Sequence, residues 1–522
     1  MEGQGSETSS CLTHPRAVMI LQGRRGKLRV RKLVGQFLSA DWLTQNNVIV
    51  YNNSISNLWR GLMERLYYVK RNGGFVECPR PVQGIFASLR TFRHQVLRYM
   101  PKHATPMTAD EFVATYVGSK RKRYEKARDT LLSRPLRRSD GHVSTFIKAE
   151  LYNCTNKPNP APRLIQPRTP EYLLETGRYL KVLEKRIYKA IDRVFGYHAV
   201  LKCDNPLKRA RTIQEHWACF HEPCFVGMDA SRFDQHVSAD ALKWEHGFYL
   251  QPFDNDRYLQ KLLAWQIQNV GYARADEGYI RYAVEGCRMS GDMNTALGNV
   301  ILMCGVTKHY LDTMGVPYRF IDDGDDCGVI MERRNLHLLD GLPRHHLQYG
   351  FEMEVEQAVF RIEEIEFCQC KPIQIGPEEY VMIRNIHKAL HHDRIHIDKD
   401  WARVGDLQQA ISVCGLSLNK GIPIVDALYT SMATCAREKA VNRLIHERHG
   451  DFYHCGGSQT LDKFVVDTDA ARVSIYYAFG ITPDMQICME DDIRAADYMH
   501  TTFEQNYRTS TSQRRANNLQ NG

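Results

Sequence analysis

The sequence predicts a fold of the α+β class, because it combines short β-forming runs with long amphipathic helices. Two runs rich in β-forming residues, at 318–321 and 327–331, flank a turn that contains Gly324 and are expected to form a hairpin. Apolar residues at helical spacing over 172–195 predict a long helix. The 522 residues, 43% hydrophobic and 25% charged, suffice for about three domains or one large multi-lobed enzyme.

The other elements are predicted from hydrophobic periodicity and from residues that begin or end helices and strands. In chain order, we expect a basic amphipathic stretch at 58–69, a charged helix at 111–132, the helix at 172–195, a short buried strand at 224–228, helices from Ser238 and over 257–270, an apolar helix ending near Leu311, the hairpin, a polar helix at 335–347, and strands at 351–359 and 365–370. Four prolines exclude a regular helix from 144–168. Residues from 372 onward are expected to be mostly helical, and 506–522 to be a disordered tail.

Charge and cysteine usage limit the classes of partner. The net charge of +9 is concentrated in two basic clusters, at 24–32 and 120–138. Such clusters suit a polyanion such as nucleic acid, or an anionic membrane surface, although a solvated helix face is the alternative. The 15 cysteines lack zinc-type CxxC pairs, and no secretory leader is apparent, so we expect reduced thiols in the cytosol. No run approaches the roughly 18 apolar residues needed to span a bilayer.

Carboxylates crowd the hairpin turn. Asp322, Asp323, Asp325 and Asp326 repel one another, which raises carboxyl pKa values unless cations neutralise the charge. The turn is therefore either simply solvated or a site for a divalent metal. Asp229 follows the predicted strand at 224–228, so it could supply a second hard oxygen ligand from a neighbouring strand, as Mg²⁺ requires. Two such ions serve in-line phosphoryl transfer, in a nuclease as well as in a polymerase.

A glycine-bearing loop before the apolar helix supplies polar groups that suit a sugar. Thr295 and Asn299 lie four residues apart and share one helical face. Ser290, Asn299 and Asp234 could together bind a ribose 2′-hydroxyl, which separates RNA from DNA. A loop with a capped, buried helix is the competing interpretation.

The proline-rich segment at 144–168 carries four cations on an extended backbone: Lys148, Lys157, Arg163 and Arg168. Such a segment could hold positive charge over the triphosphate of an incoming nucleotide. A surface loop with incidental charge would look the same in sequence.

The order of these four elements resembles the RNA-dependent RNA polymerases of positive-strand RNA viruses, specifically the tombusvirus-like group. The strings that carry the resemblance, over about residues 45–400, are KPNPAPRLIQPR, DASRFDQHVS, EGCRMSGDMNTALGN, DDGDDC and EFCQC. The resemblance implies a right-hand polymerase whose antiparallel-sheet palm is flanked by helices. The implied regions are an N-terminal extension with fingertips at 1–89, fingers at 90–218 and 255–285, palm at 219–254 and 286–370, thumb at 371–505, and the tail at 506–522.

The resemblance also implies residue roles. Asp229 and Asp325 match metal ligands for two Mg²⁺ ions, with Mn²⁺ as a possible substitute, and Asp326 matches a supporting carboxylate. Asp234 matches a ribose selector. The other implied nucleotide contacts are Ser290, Gly291, Thr295 and Asn299, with Lys148, Lys157, Arg163 and Arg168 on the triphosphate, while Phe367, Cys368, Gln369, Cys370 and Lys371 match a loop that grips the primer strand.

The partners implied by the resemblance are a viral RNA template and nascent RNA, nucleoside triphosphates, a viral auxiliary replication protein and, through it, host membranes in the cytoplasm, but not DNA. The chain is also expected to be part of a larger readthrough product. One departure is visible, because the stretch GFEMEVEQ carries Glu352, Glu354 and Glu356 where such polymerases often place a lysine as general acid. That acid is unassigned. A reverse transcriptase and a non-catalytic RNA-binding protein are the alternatives.

Overall fold

The computed structural model describes residues 12–22, 30–37, 48–155, 158–398, 404–433, 438–447, 466–496 and 499–503. The strands are β1 Ala17–Leu21, β2 Lys32–Phe37, β3 Val48–Ile49, β4 Tyr68–Arg71, β5 Gly74–Glu77, β6 Val143–Ile147, β7 Tyr152–Asn153, β8 Leu164–Ile165, β9 Pro223–Ala230, β10 Gln268–Ala275, β11 Gly278–Glu285, β12 Tyr318–Asp322, β13 Asp326–Glu332, β14 Met353–Val355, β15 Cys370–Gly376, β16 Glu379–Arg384, β17 Ile395–Asp398 and β18 Met499–Phe503.

The α-helices that the structure describes are α1 Ile55–Leu62, α2 Arg90–Arg98, α3 Ala109–Ala114, α4 Gly118–Ser133, α5 Pro170–Phe195, α6 Pro206–Trp217, α7 Phe233–His236, α8 Ala239–Leu250, α9 Arg257–Ala264, α10 Thr295–Leu311, α11 Leu342–Gln348, α12 Ile386–His392, α13 Val404–Asn419, α14 Val425–Ser431, α15 Glu438–Glu447, α16 Thr468–Phe479 and α17 Pro483–Ala495. None of these helices has the length and apolar character needed to cross a bilayer.

A four-stranded antiparallel sheet in the order β12-β13-β9-β14 lies at the centre of the protein. The predicted hairpin forms β12 and β13, and the predicted strand at 224–228 lies within β9, so both predictions are confirmed. Helices α5, α8 and α10 pack against this sheet in the largest hydrophobic core, which includes Leu183, Val300 and Val329. Because α10 is buried almost all round, its polar residues face protein instead of water.

Two of the other sheets in the described part of the chain have three or more strands. A five-stranded sheet runs in the order β1-β11-β10-β6-β8 and joins the N-terminal part of the chain to residues 268–285. In a three-stranded sheet, β2 pairs with both β17 and β18, so residues 32–37 lie beside the C-terminal part of the chain. The mixture of helices with mainly antiparallel sheets agrees with the α+β prediction.

Several predicted elements have different bounds. The helix predicted at 111–132 is divided into α3, which begins with a capping box at Thr108, and α4. The helix predicted at 257–270 ends at Ala264, because the chain from Gln268 pairs with two other strands. The helix at 335–347 is replaced by a 3-10 segment, Arg333–Leu339, and by α11, whose first turn contains a proline.

The strand predictions after the hairpin are also corrected. Of 351–359, β14 alone is a strand, and 365–370 forms a tight turn because Cys368 and Gln369 both have positive φ. The region after 372 begins with the β15–β16 hairpin before its helices. The predicted tail at 506–522 lies outside the described residues. The cysteines among the described residues form no disulfide.

Candidate active site

Three carboxylates meet where the central sheet ends. Asp229, near the end of β9, is directly opposite Asp326, the first residue of β13, and Asp325 precedes it in the turn. Directly opposed residues of antiparallel strands have Cα atoms about 4.5–5.5 Å apart. The sheet register therefore brings together the two predicted metal ligands and the predicted supporting carboxylate.

The electrostatics of this cluster favour a bound cation. The pKa of Asp326 is raised to about 6, first by burial and then by the negative charges of Asp325, Asp323 and Asp229. Burial and the charge of Asp229 also raise the pKa of Glu356. Within the described part of the chain, no set of three or more acidic, His or Cys side chains already forms a metal site. The donors are nevertheless hard oxygens with excess negative charge, and this chemistry fits Mg²⁺.

The other two acids of the turn have protein partners. Asp322 is fully buried and accepts a hydrogen bond from the Gly324 N–H at 3.1 Å, and burial raises its pKa well above the usual value. Asp323 forms ion pairs with Lys202 at 2.6 Å and with Arg209 at 2.5 Å. These two carboxylates shape the turn and are not exposed donors.

A polar pair lies beside the acidic cluster. The Asn299 Nδ2 donates a hydrogen bond to Asp234 Oδ1 at 3.2 Å. Burial raises the pKa of Asp234 to about 6, and the charge of Asp325 acts in the same direction, so the two carboxylates are near each other. The predicted sugar-binding pair and the predicted metal ligands therefore belong to one site.

A buried network supports this pair, and the sequence interpretation missed it. Arg288 Nε donates to Asn299 Oδ1 at 3.1 Å, and the guanidinium pairs with Glu245, with both side chains wholly buried. Asn294 Nδ2 donates to the same Glu245 carboxylate at 2.8 Å. Arg288 lies inside the string EGCRMSGDMNTALGN, which is a usable signal, whereas Glu245 is one acid on a helix and gives none.

The loop before α10 is held against β8. The Gln166 N–H donates to Ser290 Oγ at 3.2 Å, and a Cβ added to Gly291 would lie 2.5 Å from the Cα of Pro167. Thr295 Oγ1 donates to the carbonyl of Asp292 at 2.9 Å. These contacts fix the shape of the loop, and the nucleotide contacts of its residues remain predictions.

Two of the four predicted triphosphate cations share a carboxylate. Lys148 and Arg163 lie 2.8 Å and 3.5 Å from an oxygen of Glu150. The positive charge of Arg163 also opposes the raised pKa of Asp234, so Arg163 acts on the site electrostatically. Lys157 lies outside the described residues.

Arg168 departs from its predicted role. Its side chain is fully buried, with Nε 2.5 Å from Asp292, Nη1 donating to the Gly141 carbonyl at 2.6 Å and Nη2 donating to Asn269 at 2.6 Å. Because protein acceptors surround the buried guanidinium, a triphosphate cannot reach it. Arg168 instead ties β8 to the loop that precedes α10.

The segment predicted to grip a primer is a turn whose ends are anchored. Phe367 is buried, and the guanidinium of Arg209 lies 5.5 Å from its ring centroid. Cys368 and Gln369 form the tip, and Cys370 begins β15. The Lys371 Nζ donates to the Ala478 carbonyl at 2.8 Å and thus holds α16, and its contact with the primer strand remains a prediction.

Comparisons with known proteins identify the family of the chain. A family model described as viral RNA dependent RNA polymerase matches residues 27–500. The chain is 39% identical over 482 residues to the RNA-directed RNA polymerase of Tobacco necrosis virus (strain A), an alignment that covers 91% of this chain and 65% of that protein. It is 39% identical over 455 residues to that of Carnation mottle virus, covering 85% and 58%, and 38% identical over 450 residues to that of Turnip crinkle virus, covering 85% and 57%.

The chain thus spans between 57% and 65% of the lengths of these relatives. The resemblance to tombusvirus-like polymerases is confirmed. The match over most of the sequence establishes that the chain belongs to the family of viral RNA-dependent RNA polymerases.

Proposed function

We propose that this chain catalyses RNA-templated RNA synthesis from nucleoside triphosphates during viral genome replication and transcription. The observation that carries the proposal is the pairing of Asp229 with Asp326 across two strands, next to Asp325 and to the Asp234–Asn299 hydrogen bond. This arrangement supports a site for phosphate-bound metal beside a site for a ribose.

The proposed reaction is in-line nucleotidyl transfer. The 3′-hydroxyl oxygen of the nascent strand forms a bond to the α-phosphorus, and the bond to the bridging oxygen of pyrophosphate breaks. Asp229 and Asp325 would hold two Mg²⁺ ions, with Asp326 in support. When bound, such ions lower the pKa of the attacking hydroxyl and stabilise the leaving pyrophosphate. Mn²⁺ is a possible substitute, since it takes the same oxygen ligands.

The selection of ribose is assigned to Asp234 and Asn299. Asn299 already donates to Asp234, and its carbonyl oxygen is held by Arg288, so the pair has a fixed orientation before a nucleotide arrives. A fixed polar pair rejects a sugar that lacks the 2′-hydroxyl, because its buried groups are then left without a partner. This favours an RNA polymerase over a reverse transcriptase.

The proposed architecture is a right hand. The four-stranded central sheet would be the palm at 219–254 and 286–370, and the five-stranded sheet would belong to the fingers at 90–218 and 255–285 together with the extension at 1–89. Residues 371–505 would be the thumb. The pairing of β2 with β17 and β18 supports a closed hand in which the extension meets the thumb.

The proposed partners are the viral RNA template, nascent RNA and nucleoside triphosphates. An auxiliary replication protein would bring the chain to host membranes in the cytoplasm. The basic helix α4 supports an RNA partner, since most of its charged residues are exposed.

Labelled UTP incorporation on an RNA template in the presence of Mg²⁺ tests the proposal. We expect the wild type to incorporate UTP and Asp325→Ala to lose activity by about 10²-fold or more, as when other electrostatic groups of active sites are removed. Wild-type activity in Asp325→Ala would reject the assignment of the site.

A further inference from the structure

Asp323, in the turn between β12 and β13, is held by two cations. Lys202 Nζ lies 2.6 Å from Asp323 Oδ1, and Arg209 Nη2 lies 2.5 Å from Oδ2. The side chains of Asp323 and Arg209 are 9% and 8% exposed. Water therefore screens this pair weakly, and the loss of Arg209 would leave the nearly buried Asp323 carboxylate with Lys202 as its remaining counter-charge.

The segment that carries both cations is also joined to the sheet through its backbone. The Asp322 N–H donates to the Ala199 carbonyl at 2.9 Å, and the Leu201 N–H donates to the Asp322 carbonyl at 2.8 Å. Arg209 Nη2 donates to the Leu201 carbonyl at 3.2 Å. The positions of the two cations relative to β12 are thus fixed by main-chain hydrogen bonds.

The same carboxylate contacts the neighbouring turn at 367–370. Cys368 Sγ donates to Asp323 Oδ2 at 3.4 Å, and Arg209 stacks on Phe367. Asp323, Lys202, Arg209 and Cys368 therefore form one cluster, here called the Asp323 clamp. It links the turn that carries Asp325 to the turn proposed to contact the primer.

We infer that Arg209 and Lys202 are positioning residues, which neutralise Asp323 and so fix the turn with Asp325 and Asp326 relative to the turn at 367–370. This inference rests on the proposed polymerase function. Without the cations, Asp323 adds an uncompensated negative charge beside the other carboxylates, and like charges drive the turn apart. The proposed sugar contacts at Asp234 and Asn299 lie on other elements, so the effect falls on kcat and leaves the preference for UTP over dUTP unchanged.

A double-mutant cycle tests the clamp through steady-state incorporation on a fixed RNA template. Arg209→Gln should lower kcat by about 10²-fold, the scale of a 1 Å misplacement, with an unchanged ratio of kcat/KM for UTP and dUTP. Combining it with Asp323→Asn should restore much of the lost kcat, because the carboxylate charge that Arg209 neutralises is then absent. Effects on kcat that simply add in the double variant would overturn the inference.

Controls separate the clamp from a loss of folding. Arg211→Gln removes an exposed arginine of the same helix and should keep wild-type kcat. The variants are compared by thermal unfolding, and Arg209→Lys, which keeps the charge, should retain more kcat than Arg209→Gln. If Arg209→Lys is as impaired as Arg209→Gln, charge neutralisation is wrong.

A readout without catalysis separates failure of the clamp from failure of the proposed function. Hydrogen–deuterium exchange of the backbone amides at 322–326 and 366–371, followed by peptide mass spectrometry in metal-free protein, should be several-fold faster in Arg209→Gln than in the wild type and in Arg211→Gln. Equal rates would overturn the clamp even if the wild type synthesises RNA. Faster exchange with an inactive wild type would support the clamp as a structural link and reject the polymerase assignment.

Discussion

Single carboxyl groups define the pH response of the candidate site. Asp326 has a folded-state pKa of about 6, above its ordinary 3.8, because of burial and then the neighbouring aspartates. A raised pKa means that folding favours the protonated form, so its contribution to stability is fully present below pH 3.8 and is lost as the pH rises through about 6.

The Asp326→Asn variant tests this penalty. In buffer with EDTA, the Tm of the variant relative to the wild type should rise between about pH 4 and pH 6 and stay constant above pH 7, where Asp326 is fully charged. Adding Mg²⁺ should reduce the difference, since a cation compensates the cluster. A difference in Tm that does not vary with pH would contradict the proposed electrostatics.

The hydrogen bond between Asn299 and Asp234 should decide sugar selection. A hydrogen bond to a charged group contributes about 1.5–3 kcal/mol, so Asn299→Ala should lower the preference for NTP over dNTP by about 10- to 100-fold. The ratio of kcat/KM for UTP and dUTP on one template measures it. Asn335→Ala, outside the site, serves as the matched control. Undiminished preference in Asn299→Ala would remove Asn299 from sugar selection.

Residue types and spacing could predict the acids but not every cation. A strand end and the hairpin turn predict Asp229 and Asp325, and the sheet register pairs Asp229 with Asp326, the residue that follows Asp325. In the sequence, Arg168 cannot be distinguished from the other cations of its segment. Its burial depends on Asp292, which lies 124 residues away. A local pattern contains no information about such a distant partner.

At the level of elements, the Arg168–Asp292 pair joins β8 to the loop before α10. Arg168→Met should lower the free energy of unfolding by about 3–5 kcal/mol, because it leaves the charge of Asp292 buried without a partner. Urea unfolding measures this loss. Arg121→Met, which breaks an exposed pair with Glu125, should cost less than about 1 kcal/mol. Similar losses in the two variants would contradict the structural role of Arg168.

His198 stabilises the segment between α5 and α6 by bonding to two aspartates. Its ring nitrogens lie 2.8 Å from Asp192 and 2.6 Å from Asp204, and these hydrogen bonds raise its pKa from 6.5 to about 9. The stabilisation by the charged ring is therefore fully present below pH 6.5 and is lost as the pH rises through about 9.

The His198→Gln variant tests the stabilisation by the charged His198 ring. The Tm should be several degrees lower than that of the wild type at pH 6, and the two values should converge towards pH 10, because only the wild type loses a charge. His337→Gln, at an exposed histidine, is the control. A Tm deficit that persists unchanged at pH 10 would show that the charge of His198 is not the cause.

The sequence predicts an element well where residues that cap or end that element are present. The helix α5 has Thr169 as its N-cap, a proline in its first turn and Gly196 after its end, and it was predicted nearly to its bounds. The turn at Cys368 and Gln369 carries no glycine, although both residues have positive φ, so it looked like a strand.

For the whole molecule, the family and the order of the motifs could be predicted, but the way distant parts meet could not. Strand β2 pairs with residues more than 350 positions away in sequence, and short strands without strong alternation do not reveal such partners. The central sheet was more predictable, since its hairpin is local.

Copying of a defined template tests the central claim most directly. Two RNA templates of equal length and different sequence are given to the wild type with four NTPs and Mg²⁺, and the products are sequenced. We predict that each product is complementary to its own template and that Asp325→Asn yields no product. Products that do not depend on the template sequence, or full synthesis by Asp325→Asn, would contradict the assignment of an RNA-templated polymerase to this site.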